Sequence, residues 1–360
     1  RHEVDVMVGS GAVNVVAAFG PEHGFRGASQ AGQGEEFWID PQTGLPVYNA
    51  YNNKDKLADL FAEIGLDTVV FDIQDVGPRF YTFIWTMYLG MEAAAVTGKR
   101  FVVLDRPNPI TGRFAAGPVL HPEHATFVGL KPISQLHGMT VGELAQLFNA
   151  EFLPEAVGRS VDLTVVPLQG WFRDMWYEET GLTWVAPSPN MPTVDTATVY
   201  PGTCLFEATQ LSEGRGTTQP FELIGAPEID HKWAAALEAL DLPGAGFRQA
   251  YFKPTFSKWV GKTCGGVQVY VTDRDTFDPI RTAIAMIVTQ RRLYPQYKWR
   301  EASGTTFWMD KLTGSSRARL AIDAGADFDE VVAGWQDELA EFRRLREQHL
   351  LYKKTRGPVR

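Results

Sequence analysis

Only two cysteines occur in 360 residues, Cys204 and Cys264. They sit in separate regions with no metal-type spacing, so neither a disulfide scaffold nor a zinc module organises the chain. A pairing of the two is left open. No stretch nears the roughly 18 consecutive apolar residues that a membrane span needs, so the chain is not expected to span a membrane. Runs of like charge and low-complexity tracts are also missing, which argues against long disordered segments. Basic residues are outnumbered, 34 Lys and Arg against 43 Asp and Glu, for a net charge of −9. That balance opposes binding to a phosphate backbone, and no nucleic-acid partner is expected. The chain lacks G-x-S-x-G, a P-loop and C-x-x-C, so the serine hydrolase, nucleotide hydrolase and redox templates lose their usual support. Gly9 to Asn14, G-S-G-A-V-N, resembles half a dinucleotide loop but precedes an apolar run instead of following one. His121 to His124, H-P-E-H, is interrupted by proline and is no zincin helix.

What is present is a globular composition, 44% apolar and 21% charged, long enough for two ordinary domains. Short Val-rich runs at Val13 to Phe19, Asp67 to Ile73, Arg100 to Asp105 and Asp162 to Leu168 read as parallel strands. Helical patterns lie between them at Lys54 to Ile64, Tyr81 to Val96 and Thr140 to Phe148, the last opening T-V-G-E with capping-box spacing. Strand and helix alternate, which predicts an α/β domain built on a doubly wound sheet. After Pro201 the rhythm changes. One β-type run, Gly265 to Asp273, precedes a helical stretch at Pro279 to Arg292 and a charged helix at Phe328 to Gln348. The expected division is residues 1–205 as an α/β catalytic domain and 206–360 as a smaller α+β domain closing a cleft.

Four runs carry polar groups just past an apolar stretch: Phe19 to Gly27, Phe71 to Tyr81, Val103 to Gly112 and Ala186 to Thr193. Ligands of α/β proteins bind beyond the carboxyl ends of the strands, and the Gly and Pro in these runs make each a shaped loop. Glu22 and His23 stand on the first. Glu22 suits general acid or base work, or it holds the loop by pairing with Arg26. The second run offers Asp72, Gln74, Asp75, Arg79 and Tyr81. Its carboxylates are either catalytic or structural, capping a helix or anchoring Arg79. In the third run Pro107 and Pro109 fix the backbone and leave Arg106 and Asn108 displayed, and in the fourth Asn190 is displayed between two prolines. His137 is a weaker candidate. Near the domain junction, Glu207, Glu213 and Arg215 follow Trp171, Trp176 and Trp184. Carboxylates, amides, arginines and flat aromatics together suit a saccharide site between domains.

These runs, with H-G-M-T-V-G-E-L-A, Y-P-G-T-C-L-F-E-A-T and L-S-E-G-R-G-T-T-Q-P-F in the same order, resemble the exo-β-N-acetylmuramidase family of the NamZ type, formerly a domain of unknown function. The resemblance runs from about residue 13 to the end. It implies a Rossmann-like N-terminal domain, a smaller C-terminal domain, and a bacterial cell-wall hydrolase. That hydrolase would remove β-1,4-linked N-acetylmuramic acid from the non-reducing end of peptidoglycan fragments. Its E-H-G motif falls on Glu22 and His23, and its I-Q-D-x-G-x-R-x-Y motif on Gln74, Asp75, Arg79 and Tyr81. Members usually begin with a further strand ahead of Arg1, so the expectation is a sheet without that strand. The resemblance also implies an extracytoplasmic location, with the targeting segment outside this chain; a cytoplasmic one is the alternative.

The expected mechanism takes Glu22 as acid/base, with Asp72, Asp75 or Glu207 as partner carboxylate, or the substrate acetamido group as nucleophile. No cofactor or metal is expected. The substrate's lactyl ether carries a carboxylate, for which Arg26, Arg79, Arg106 and Arg215 are the candidate readers. Two rival readings stand. One is a metal-dependent hydrolase with Glu22, His23, Asp72, Asp75 and His137 as ligands; the other is a non-catalytic wall-sugar binder.

Overall fold

The computed structural model describes residues 2–303 and 306–356. Residues 1 and 357–360, the outer ends of the two expected domains, lie outside the described ones. Thr68–Phe71, Arg100–Leu104 and Asp162–Val166 form a three-stranded parallel sheet with Arg100–Leu104 in the centre. Its register pairs Thr68 with Arg100 and Arg100 with Asp162. Phe101 and Val103 of the central strand are buried, whereas Val70 and Val166 on the two outer strands are exposed. The Val-rich pattern therefore marks parallel strands correctly but overstates their burial, because outer strands keep one side toward solvent.

Ala18–Gly20 belongs to a second sheet, parallel to Pro46–Asn49, which in turn pairs antiparallel with Trp38–Ile39. Of the run Val13 to Phe19, only the last two residues enter this strand. Helix Lys54–Ile64 has the expected bounds and packs on helix Phe83–Thr97. The latter is buried from Phe83 through Ala95, as a helix apolar on every side must be. The T-V-G-E signature forms a complete capping box ahead of helix Val141–Leu147. Thr140 accepts from the Glu143 amide and Glu143 accepts from the Thr140 amide.

In the second half, Cys264–Val271 is not an isolated strand. It is the centre of an antiparallel sheet between Leu223–Ala226 and Ala245–Phe252. Helix Pro279–Leu293 follows. The single charged helix expected at Phe328 to Gln348 is two, Phe328–Ala333 and Gln336–Gln348, with buried Trp335 at the break. The longer one folds back over the first half. Buried Arg346 donates to the Gly112 and Gly138 carbonyls, and the Tyr352 hydroxyl donates to Asp105 at 2.7 Å. Asp105 also accepts from the Gly142 amide and the Thr140 hydroxyl, so the loop after the central strand is clamped by the C-terminal segment.

Candidate active site

A cavity of about 1260 Å³ opens between the two halves. Its first wall begins where the Ala18–Gly20 strand ends in Pro21, Glu22 and His23. A Cβ at Gly20 would collide with the Glu35 carboxylate, which instead tucks under the loop. There Glu35 accepts from the Phe25 amide at 2.6 Å and the Trp38 indole at 2.8 Å. Arg26 turns away from the cavity to pair with Asp5 and Asp40. Arg26 and Glu35 thus brace the loop, and the alternative pairing of Glu22 with Arg26 does not form.

Glu22 is half-buried on the cavity wall. One oxygen accepts the Gly32 amide at 2.6 Å, and the other meets the Thr82 hydroxyl. Thr82 caps no amide of helix Phe83–Thr97; its hydroxyl is spent on Glu22 at the positive end of that helix dipole. A hydroxyl can donate to a carboxylate or accept from a carboxylic acid, so this contact serves both protonation states of a general acid/base. His23 adopts a left-handed backbone, φ 74°, the kind of strain that concentrates at functional sites. Its Nδ1 lies 3.0 Å from the Ser29 carbonyl, which only accepts, so Nδ1 carries the proton and Nε2 keeps a lone pair. Burial pushes its pKa below the ordinary value, with the Glu22 charge opposing. Tyr81 completes this wall. Its hydroxyl is buried beside Ser188 and unpartnered among the described residues, and burial pushes the phenol pKa up, so it remains a donor.

The opposite wall comes from the junction and the second half. Arg215 pairs with Glu207 at 2.7 Å and Glu213 at 3.3 Å, and Lys258 pairs with Glu213 at 3.0 Å. Burial pushes the Glu207 carboxyl up, but the Arg215 charge and hydrogen bond outweigh it and leave the pKa below the ordinary value. Glu207 is therefore held ionised. Asn190 also lines the cavity, its amide 3.3 Å from the Gln30 side chain.

The structure thus brings Glu22, His23, Tyr81, Asn190, Glu207, Glu213 and Arg215 to one cavity, and places the remaining candidates elsewhere. Asp72 is paired with Arg106 at 2.5 Å. Asp75 accepts from the Gly77 amide and from buried His137, whose Nδ1 accepts the Met139 amide. Gln74 donates to the Asp75 and Pro107 carbonyls, and Asn108 to the Met139 carbonyl. Arg79, wholly buried, donates to the carbonyls of Pro118, Ile133 and Leu312; burial pushes its pKa down to about 9. Each is consumed by a structural partner. The five residues a metal reading requires are dispersed accordingly, and no group of three or more metal-type ligands forms among the described residues.

Trp171, Trp176 and Trp184 do not line the cavity; Trp259, Trp299 and Trp308 do, together with Lys258, Lys298 and Arg300. Sequence reasoning missed all of these. They lie in ordinary-looking stretches, and only the Glu301–Ser303 and Thr306–Phe307 hairpin and the segment around Trp259 carry them to the cleft.

An ionised carboxylate and a second, half-buried carboxyl facing one aromatic-walled cleft between an α/β and an α+β unit suit a saccharide-cleaving class of site. The chain belongs to the exo-β-N-acetylmuramidase family: the NamZ N-terminal family matches residues 1–195 and the NamZ C-terminal family residues 198–352. Among its relatives is the peptidoglycan β-N-acetylmuramidase NamZ of Bacillus subtilis, 47% identical over 98% of this chain and 83% of that protein. Two crystal structures of DUF1343 family proteins from Bacteroides fragilis are similar. One is 33% identical with a TM-score of 0.85, covering 97% of this chain and 89% of that one. The other is 30% identical with a TM-score of 0.76, covering 99% and 90%.

Proposed function

We propose that this protein is a glycoside hydrolase that removes β-1,4-linked N-acetylmuramic acid from the non-reducing end of peptidoglycan fragments, with Glu22 as general acid/base. Family membership and the B. subtilis relative support the activity and the peptidoglycan substrate. The observation that supports Glu22 is its setting: a half-buried carboxyl on the cavity wall, aimed by the Gly32 amide and the Thr82 hydroxyl. Glycosidic cleavage needs a proton for the leaving oxygen and negative charge near the oxocarbenium-like centre. Glu22 delivers the first. Glu207, kept ionised by Arg215, is the cavity carboxylate suited to the second. Asp72 and Asp75 are committed to Arg106 and His137 and drop out as partners.

The test is release of a chromophore from an aryl β-N-acetylmuramide by the protein and by Glu22→Gln. Loss of a general acid costs about 10²- to 10⁴-fold, so the variant should retain under a hundredth of the turnover. Equal turnover by both would remove Glu22 from the chemistry.

A further inference from the structure

An enzyme of this specificity must tell N-acetylmuramic acid from N-acetylglucosamine, and the difference is one lactyl ether ending in a carboxylate. None of the four arginines singled out in the sequence is free to read it. Arg26, Arg79 and Arg106 are spent outside the cavity, and Arg215 is shared between Glu207 and Glu213. Arg300 differs. It lines the cavity, is exposed, and its guanidinium has no hydrogen-bond or ion-pair partner among the described residues. We propose that Arg300, stacked on Trp308, is the specificity-determining residue that binds the lactyl carboxylate; this rests on the activity proposed above.

Its placement is fixed at the backbone. The Arg300 amide donates to the Ala208 carbonyl at 2.7 Å, and its carbonyl accepts the Trp308 amide at 3.0 Å. The guanidinium carbon lies 4.9 Å from the Trp308 ring centroid, and the Trp308 indole reaches Glu207 at 3.4 Å. Guanidinium, aromatic face and ionised carboxylate are thereby linked along one wall. Stacking on an indole orients the planar fork while leaving its edge open, and that edge matches a carboxylate with two parallel hydrogen bonds. Lys298 and Glu301 face the same cavity. Two cations against one anion leave this rim favourable to a negative group.

The experiment measures kcat/KM on an aryl β-N-acetylmuramide and on its lactyl methyl ester, for the protein, Arg300→Gln and Arg300→Lys. A charge-assisted pair is worth about a 10- to 100-fold preference for the free acid. The protein should show it, Arg300→Gln should lose it, and Arg300→Lys should keep part of it. Thermal unfolding should change little in both variants, since the guanidinium has no hydrogen-bond or ion-pair partner among the described residues and touches only the Trp308 ring by an exposed contact. A preference that survives in Arg300→Gln overturns the assignment, as does a protein that ignores esterification. Failure of the protein to cleave either compound sinks the proposed activity instead. Calorimetric binding of free N-acetylmuramic acid and its ester to the same three proteins then decides the role of Arg300 by itself.

Discussion

The loop after Ala18–Gly20 and the loop after Thr68–Phe71 look alike on paper: each follows a strand, is shaped by Gly and Pro, and displays carboxylates beside an arginine. Their fates diverge. In the first, Arg26 and Glu35 brace the loop from behind, which leaves Glu22 facing the cavity. In the second, Asp72, Gln74, Asp75 and Arg79 all turn into the protein, and of the polar candidates in that run Tyr81 alone reaches the cleft, beside Phe80. The difference teaches that a displayed charge becomes available for chemistry when other residues carry the structural load of its loop.

Glu22→Gln sharpens the comparison most. Turnover should fall by about 10²- to 10⁴-fold with the unfolding midpoint in urea little moved, because glutamine can still bond the Gly32 amide and the Thr82 hydroxyl while Arg26 and Glu35 brace the loop. The opposite signature is expected of His137→Leu. It leaves the buried Asp75 carboxylate without its ring partner and should destabilise by about 2–4 kcal/mol, while kcat of the folded protein stays near that of the parent. Urea unfolding beside saturating kinetics reads both. Stable but inactive His137→Leu would break the division between the loops.

Thr82→Val tests how Glu22 is aimed. Removing the hydroxyl from a carboxylate contact should lower kcat by about tenfold, visible in a steady-state assay, with KM little changed. The smallest effect concerns His23. Burial holds its pKa below the ordinary 6.5, so below that pH the unfolded chain binds more protons than the folded one. The His23 contribution is fully present above about pH 6.5 and is lost as the pH falls through the folded value. His23→Asn, which tolerates the left-handed backbone, should narrow the Tm difference between pH 5 and pH 8. An unchanged difference would assign the acid sensitivity to other groups.

Much of the site's first wall was legible in the residues, because P-E-H-G places a carboxyl on a turn whatever the rest of the fold does. The capping box at Thr140 and the bounds of Lys54–Ile64 were legible for the same reason: their determinants lie within a few residues. The second wall was not. Glu207 and Arg215 stood out through their nearness to the domain junction and their place in two of the family-like motifs, and Lys298, Arg300 and Trp308 offered no motif at all. The tryptophans that sequence proximity favoured pack elsewhere. Trp171 packs edge-on to Tyr352 and Trp184 to Tyr177.

By itself the sequence determined the α/β class and the strand-end loops, including the turn that carries Glu22, since each follows from local pattern and backbone chemistry. Tertiary structure alone decided which charges were consumed. Whether Arg79 meets a substrate or three carbonyls, and whether Arg300 stays free above Trp308, depends on groups tens to hundreds of residues away. Electrostatic pairing acts over a few ångströms of space and is indifferent to separation along the chain.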